Sequence, residues 1–406
     1  MNTSLQYADD AQPAHVRAAP THHDPYPYYA RLAAERPVSR EGADGPWVVA
    51  GAMAVRSVLM DPNCLTRPAG RVAPESMVGT PVGEIYGALV RLNDGPTHCA
   101  LKPNLTGAVD GLDIAAVAKG MRGQVEALAA AIRPEAGRAR LTQFIYALPV
   151  ETLSPLVGVP TEAAGDVARW IGEYGAASAA AATGVPALTP EIAAAGQAAS
   201  RSLLELFTGL AERGPLGEET LLARMLRAAD ADGRPTRKAA TINAIGVLIQ
   251  GFAATSALTG NALVTLSRLA DVRKAVLADH GRIGDLVQEV LRCDPITHST
   301  PRFVAEDGVV AGQPMRAGDF IIVTLAAASR DPALNPDPNR FDLDRANRRY
   351  LEFGAGAHAC AGVALATLIA EIGVETLLSR GVPLEDLGRH VAYRPSSHIR
   401  MPIFNA

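Results

Sequence analysis

The chain has 406 residues, 48% of them hydrophobic and 20% charged, and carries a net charge of −4. That size and composition allow a large core in one big domain or two ordinary ones. No dense Lys/Arg block with interleaved aromatics is present, which excludes a general nucleic-acid binder. Four cysteines (Cys64, Cys99, Cys293, Cys360) stand far apart, without CxxC spacing or a disulfide framework, and so predict a reducing, cytoplasmic setting.

From Met1 to Ala19 the chain carries Asp9, Asp10 and His15 and lacks the basic start and apolar core of a secretory signal. Residues 1–23 read as a flexible segment ahead of a catalytic domain over 24–406. From Asp24 the text predicts a short amphipathic helix stopped by Pro37. Two strand-like pieces follow, around Val38 and over Trp47 to Ala50, then a helix from about Ala52 to Leu59 ended by Asp61-Pro62. The Pro- and Gly-bearing segment from Asn63 to Gly83 reads as a long loop, and long loops in compact domains are often functional, so it is assigned to a substrate pocket.

Asp94 and Pro96 punctuate the next helix start, and His98 and Lys102, four apart, share one helical face. On their own they read more readily as two solvated polar residues. From Ala115 to Arg227 the chain reads as several helices interrupted near its prolines, with an alanine-rich portion from Ala176 to Ala199. The uncharged span from Ala239 to Ser267 is long enough to cross a bilayer. Asn243, Gln250, Thr255, Ser256, Thr259 and Asn261 interrupt it, however, and would be costly in lipid. A buried central helix from about Lys238 to Ala270 is therefore predicted, with no membrane association.

Glu289 and Arg292, three apart before Pro295, face the same way and can pair. His298 to Val304 is extended, and Asp319 to Leu325 is a β-rich run that joins Trp47 to Ala50 in a small sheet. The most specific stretch follows: Phe353-Gly354-Ala355-Gly356-Ala357-His358-Ala359-Cys360-Ala361-Gly362, running into an apolar helix from Val363 to about Leu378. A sulfur at a helix N-terminus is held as thiolate by unsatisfied N–H groups and the helix dipole, ready to bind a metal. Gly354, Gly356 and Gly362 allow the loop to lie flat beneath a large planar ligand. The chain closes with the turn Tyr393 to Ile399, in which His398 is as well explained by solvation as by a pocket.

The pattern Phe-Gly-x-Gly-x-His-x-Cys-x-Gly resembles the cysteine-ligand loop of the cytochromes P-450. The resemblance runs from about Asp24 to the C-terminus and implies a mainly α fold with a small β region, the cytochrome P-450 fold, in a single large domain. It implies heme b with Cys360 as axial ligand to iron, His358 and Arg302 at the propionates, and Phe353 packed on the sulfur side, with Gly354 and Gly362 shaping the loop. His98 and Lys102 match the family's propionate clamp, with Lys102 where Arg is commoner, a point charge in place of a fork. Ala100 and Pro103 depart from the usual basic or helix-compatible residues, which weakens the docking of a redox partner there. Residues 176–199 correspond to a mobile lid. Glu289-x-x-Arg292 resembles a structural motif completed by Arg340.

The central helix departs most. Where the family has Gly, any residue, an acid and Thr, this chain has Gly251, Phe252, Ala253 and Ala254. The acid and hydroxyl deliver protons to dioxygen. Thr255 is the nearest hydroxyl, turned by about 100° from its neighbour, and either bonds back inside the groove or satisfies itself locally. The implied function is oxidation of a small organic molecule by a tailoring monooxygenase fed by ferredoxin and its reductase. The alternative is an atypical heme-thiolate enzyme that uses peroxide, or an N–O or O–O substrate, for cyclisation, rearrangement or group transfer. A catalytically idle heme-binding subunit is the third class.

Overall fold

The structure, a computed structural model, describes residues 12–130, 137–213 and 217–404. Two compact units are formed from alternating stretches of the chain: residues 1–69, 129–145 and 254–406 make the first, and 70–128 and 146–253 the second. In chain order the elements are α1 (Tyr26–Glu35), β1 (Val38–Arg40), β2 (Trp47–Val49), α2 (Ala52–Met60) and β3 (Cys64–Leu65), then α3 (Pro81–Ala88) and α4 (Gly95–Asp110). Next come α5 (Ile114–Ala130), α6 (Gly137–Val157), α7 (Ala164–Thr183), α8 (Pro190–Arg213), α9 (Leu221–Asp232) and α10 (Arg237–Arg268). The remainder holds α11 (Ala270–Ala278), α12 (Ile283–Cys293), β4 (Thr300–Val304), β5 (Gly308–Val310), β6 (Gln313–Met315), β7 (Phe320–Val323), α13 (Leu325–Ser329), α14 (Val363–Ser379), β8 (Val391–Tyr393) and β9 (Pro402–Phe404). The fold is mainly α with a small β region, as the sequence predicts.

In the first unit a five-stranded sheet runs in the order β1-β2-β7-β4-β3. Its ladders are antiparallel except β2 with β7, which is parallel. Successive side chains on a strand point to opposite faces, and the two cores follow that alternation. Val49, Ile321 and Val323 join helix α2 (Val55, Val58, Leu59) in one cluster. Val48, Ala50 and Ile322 join helix α1 (Tyr26, Tyr29, Leu32) in another. β7 is therefore buried on both faces, which explains why Phe320-Ile321-Ile322-Val323 is a continuous apolar run.

Residues 1–11 lie outside the described residues; within 12–23, Val16 and Ala19 are buried in the cluster around α1. The buried Arg400 guanidinium also donates to the carbonyls of Pro20 (3.2 Å), His22 (2.5 Å) and His23 (2.9 Å).

In the second unit the helices begin and end where local chemistry dictates. The Thr80 hydroxyl accepts from Gly83 N–H at the start of α3, and Asp94 precedes α4 with proline in its first turn. Gly184 and Gly233 close α7 and α9 in the left-handed conformation. The alanine-rich stretch is helix–helix packing: α7 and α8 approach so closely that a Cβ on Gly196 would lie 2.2 Å from Ala177 Cβ.

Helix α10 contributes residues 237–253 to the second unit and 254–268 to the first. It is the one described helix long and apolar enough to span a bilayer, and most of that stretch is buried in the protein. Two of its polar residues reach protein partners off the helix. Asn243 accepts from Val90 N–H (2.8 Å) and donates to Ala88 C=O (2.9 Å), and Asn261 donates to Asp294 C=O (3.0 Å).

Candidate active site

The cysteine loop bridges sheet and helix in the first unit. Cys360 N–H donates to Phe353 C=O at 2.9 Å, closing the loop, and Gly356–His358 form a single tight turn inside it. Gly354 and Gly356 have φ of +70° and +67°, a region costly for any side chain. Gly356 is doubly required, since a Cβ there would meet Met60 Sδ at 3.0 Å and Leu59 C=O at 3.1 Å. Gly356→Ala is expected to cost about 1–2 kcal/mol from backbone conformation alone, read as a lowered chemical-denaturation midpoint. Gly362, by contrast, has an ordinary φ of −95° as the N-cap of α14.

Gly362 N–H donates to Cys360 Sγ at 3.3 Å. The sulfur is thus exposed, at a helix N-terminus and beside an N–H donor, all of which favour thiolate. Cys64 is the opposite case. Burial pushes its thiol up to about 12, and it behaves as a small hydrophobe. Among the described residues no group of three or more His, Cys, Asp or Glu is placed to hold a metal ion; of the two exposed cysteines, Cys99 lies within α4 and Cys360 stands in the glycine-bearing loop at a helix N-terminus, which makes Cys360 the metal-binding candidate.

The other predicted residues fall as follows. His358 ends the tight turn, half-buried. The Phe353 ring meets Tyr350 edge-on at 6.1 Å. Arg302 lies on β4, nearly buried, with its guanidinium donating to Pro301 C=O (2.8 Å) and Thr300 Oγ1 (3.3 Å). In the second unit His98 is buried on α4 and Lys102 half-buried one turn later. Pro103 sits inside that helix, which continues to Asp110.

On α10, Gly251 is a packing residue: a Cβ there would come within 2.3 Å of Leu153 Cδ1. Phe252 stands edge-on to Tyr146 at 5.9 Å. Ala253 and Ala254 are half-buried, whereas Thr255 is fully buried. Neither expected bond of Thr255 forms. Its hydroxyl has no hydrogen-bond partner among the described residues, and its carbonyl is taken by Thr259 Oγ1 at 2.9 Å. One residue of helical rotation turns it into the interior and leaves Ala254 on the more open side.

The third member of the Glu289 cluster is corrected. Glu289, 0% exposed, receives Arg292 in a bidentate pair (Nε 3.0 Å, Nη2 2.7 Å), Arg345 Nε at 3.1 Å, Arg348 Nε at 3.5 Å and Asp342 N–H at 3.0 Å. Arg340 contributes only its carbonyl, to Arg292 at 2.8 Å. Its side chain is 58% exposed and pairs with Asp342 at 3.4 Å. Sequence reasoning also missed a buried network in which Asp294 accepts from Tyr26 Oη and from Arg400 Nε (3.1 Å), while Tyr29 Oη meets His298 Nδ1 at 2.8 Å. Burial holds His298 well below the usual histidine range, so it is neutral.

A mainly α chain that presents one exposed cysteine sulfur from a glycine-bearing loop at a helix N-terminus fits the heme-thiolate class of enzyme. The family model described as Cytochrome P450 matches residues 284–380. The cytochrome P450 monooxygenase PikC of Streptomyces venezuelae is 33% identical over 385 residues, covering 88% of this chain and 84% of that protein. The 6-deoxyerythronolide B hydroxylase of Saccharopolyspora erythraea is 28% identical over 374 residues, covering 88% of this chain and 89% of that one. The fold matches epothilone B-bound cytochrome P450epoK at a TM-score of 0.82, with 23% identity and 95% and 99% of the two chains covered. The chain belongs to the cytochrome P450 family. It is an enzyme of the monooxygenase kind, and membership implies a heme iron held by a cysteine thiolate.

Proposed function

We propose that this chain is a tailoring monooxygenase of specialised metabolism that oxidises a small organic molecule, with heme b held by Cys360. The observation that carries the reading is the exposed Cys360 sulfur at the N-terminus of α14, with Gly362 N–H donating to it. Thiolate-held heme supplies dioxygen activation, the sulfur pushing electron density that favours O–O cleavage. Phe353, Gly354 and Gly362 shape the loop that carries the sulfur. Arg302 and His358 hold the heme carboxylates by charge-assisted bonds, with His98 and Lys102 as the second basic pair. A ferredoxin and its reductase supply electrons. The hydroxylase activities named for the relatives support this assignment.

Ala253 and Ala254 offer no proton donor, and the Thr255 hydroxyl is buried in the interior. Protons therefore come from water or from the substrate's own groups. The same observation favours a second reading, in which the enzyme uses peroxide or an N–O or O–O substrate and needs no proton relay. Turnover of a candidate substrate, with and without dioxygen and the ferredoxin system, separates the two. Strict dependence on both supports the monooxygenase, and turnover without either supports the second.

In both cases Thr255→Ala is expected to leave turnover and peroxide leakage close to wild type, since a hydroxyl without a bond contributes little when removed. A loss on the order of 100-fold, the lower range for a general acid, would return Thr255 to the relay.

A further inference from the structure

We propose that Glu352 is a positioning residue for the cysteine ligand: a neutral carboxyl clamp that ties the base of the cysteine loop to residues 296–299 and so sets where Cys360 sits. This rests on the reading of Cys360 as the heme ligand.

Residues 296–298 run antiparallel to 398–400. His298 N–H donates to His398 C=O (2.8 Å) and Arg400 N–H to Ile296 C=O (2.8 Å), around the bridge of Thr297 with Ile399. That pairing leaves the Thr297 amide pointing away from the bridge. Glu352 meets it, with Oε1 at 2.8 Å and Oε2 at 3.1 Å. One residue further along, Phe353 C=O accepts from Cys360 N–H at 2.9 Å. A continuous path of two hydrogen bonds and one peptide link thus joins residues 296–299, which lead into the strand of Arg302, to the backbone of Cys360.

The clamp works without a countercharge. Glu352 is 6% exposed, and no cation lies within ion-pair distance of it among the described residues. A buried carboxylate without a cation is costly, and such a group takes up a proton instead. Burial accordingly pushes its carboxyl up to about 8, against the opposing pull of the Thr297 N–H.

The charged and titratable groups around it are otherwise engaged or weakly coupled. His298 is bonded to Tyr29. Arg400 is committed to Asp294 and three carbonyls. His398 lies on the far side of the bridge, with Ser397 Oγ 3.4 Å from its Nδ1. His358 lies within the cysteine loop. Tyr350, on the same segment as Glu352, has its phenol pushed up by burial first and by the Glu352 charge second.

The test uses heme-loaded wild type, Glu352→Gln and Glu352→Ala. The reduced carbonyl spectrum is followed as pH rises through about 8, together with amide hydrogen exchange of the peptide spanning 296–299. Wild type is expected to lose intensity in its thiolate-type band across that pH, because the ionised carboxylate is unstable in the buried site and moves toward water despite the Thr297 N–H. Glu352→Gln, neutral and still an acceptor, is expected to keep the band at every pH. Glu352→Ala is expected to lose much of the band throughout and to speed exchange at Thr297 by roughly 5-fold or more, the smallest change expected for a lost buried hydrogen bond. Superimposable pH profiles for wild type and Glu352→Gln, or a Gln variant that behaves like the Ala variant, would overturn the clamp. Should Glu352→Ala fail to fold, the wild-type and Gln profiles still decide. Wild type without a thiolate-type band at any pH would remove Cys360 as ligand and the clamp with it, a result distinct from a normal band that ignores Glu352.

Discussion

Glu289→Ala is expected to be the most destabilising single substitution in the scaffold behind the cysteine loop, by about 3–5 kcal/mol. Both carboxylate oxygens are used: Arg292, with a side chain 0% exposed, takes both, and the nearly buried Arg345 and Arg348 take one each at 3.1 and 3.5 Å. Removing Glu289 leaves the guanidinium groups of Arg292 and Arg345 without their carboxylate where water screens them poorly, while Arg348 keeps Asp285 at 3.1 Å. It also frees the Asp342 amide that Glu289 accepts at 3.0 Å. The pairing as a whole need not stabilise the fold relative to apolar residues, since burying charges is itself expensive, but breaking it from one side is not tolerated.

Thermal melting and heme content are the measurements, with Arg340→Ala as the internal control. Exposed and paired only with Asp342 at 3.4 Å, Arg340 should change stability by at most about 0.5 kcal/mol. Equal losses for the two variants would mean that Arg340 is the third member of the cluster after all.

Cys360→His is expected to abolish activity and the thiolate-type carbonyl band of the reduced protein while leaving the fold intact. The sulfur is exposed and accepts a backbone hydrogen bond from Gly362 N–H at 3.3 Å, so its replacement takes little from the buried core. The electronic consequence is large, because imidazole does not push electron density as a thiolate does. Absorption spectroscopy of the reduced carbonyl complex, read beside far-UV circular dichroism, separates the two effects. A variant that keeps the thiolate-type band would show that another group binds the iron.

Local chemistry made part of this legible without coordinates. The cysteine loop needs a sulfur, left-handed glycines and a following helix within ten residues, and the text of 353–362 contains all three. Asp94-Gly95-Pro96 starts a helix because a proline suits the first turn, although Asp94 makes no side-chain cap bond, and the polar residues of α10 argued against lipid from the sequence alone. The gap at Ala253-Ala254 is likewise a statement about side chains absent from one helical turn.

What the sequence could not rank were through-space partners. Arg340, Arg345, Arg348 and Arg349 lie within ten positions, and composition cannot tell which guanidinium the chain path turns toward Glu289. Nothing near Glu352 in the chain marks it for burial; the Thr297 amide, 55 positions earlier, meets it. Val16 and Ala19 looked like tail until α1 and the sheet provided a surface to cover. In each case an electrostatic or hydrophobic contribution depends on distance and burial, and those are set by residues tens to hundreds of positions away in the chain, whereas caps, turns and helical faces are set by neighbours three or four residues apart.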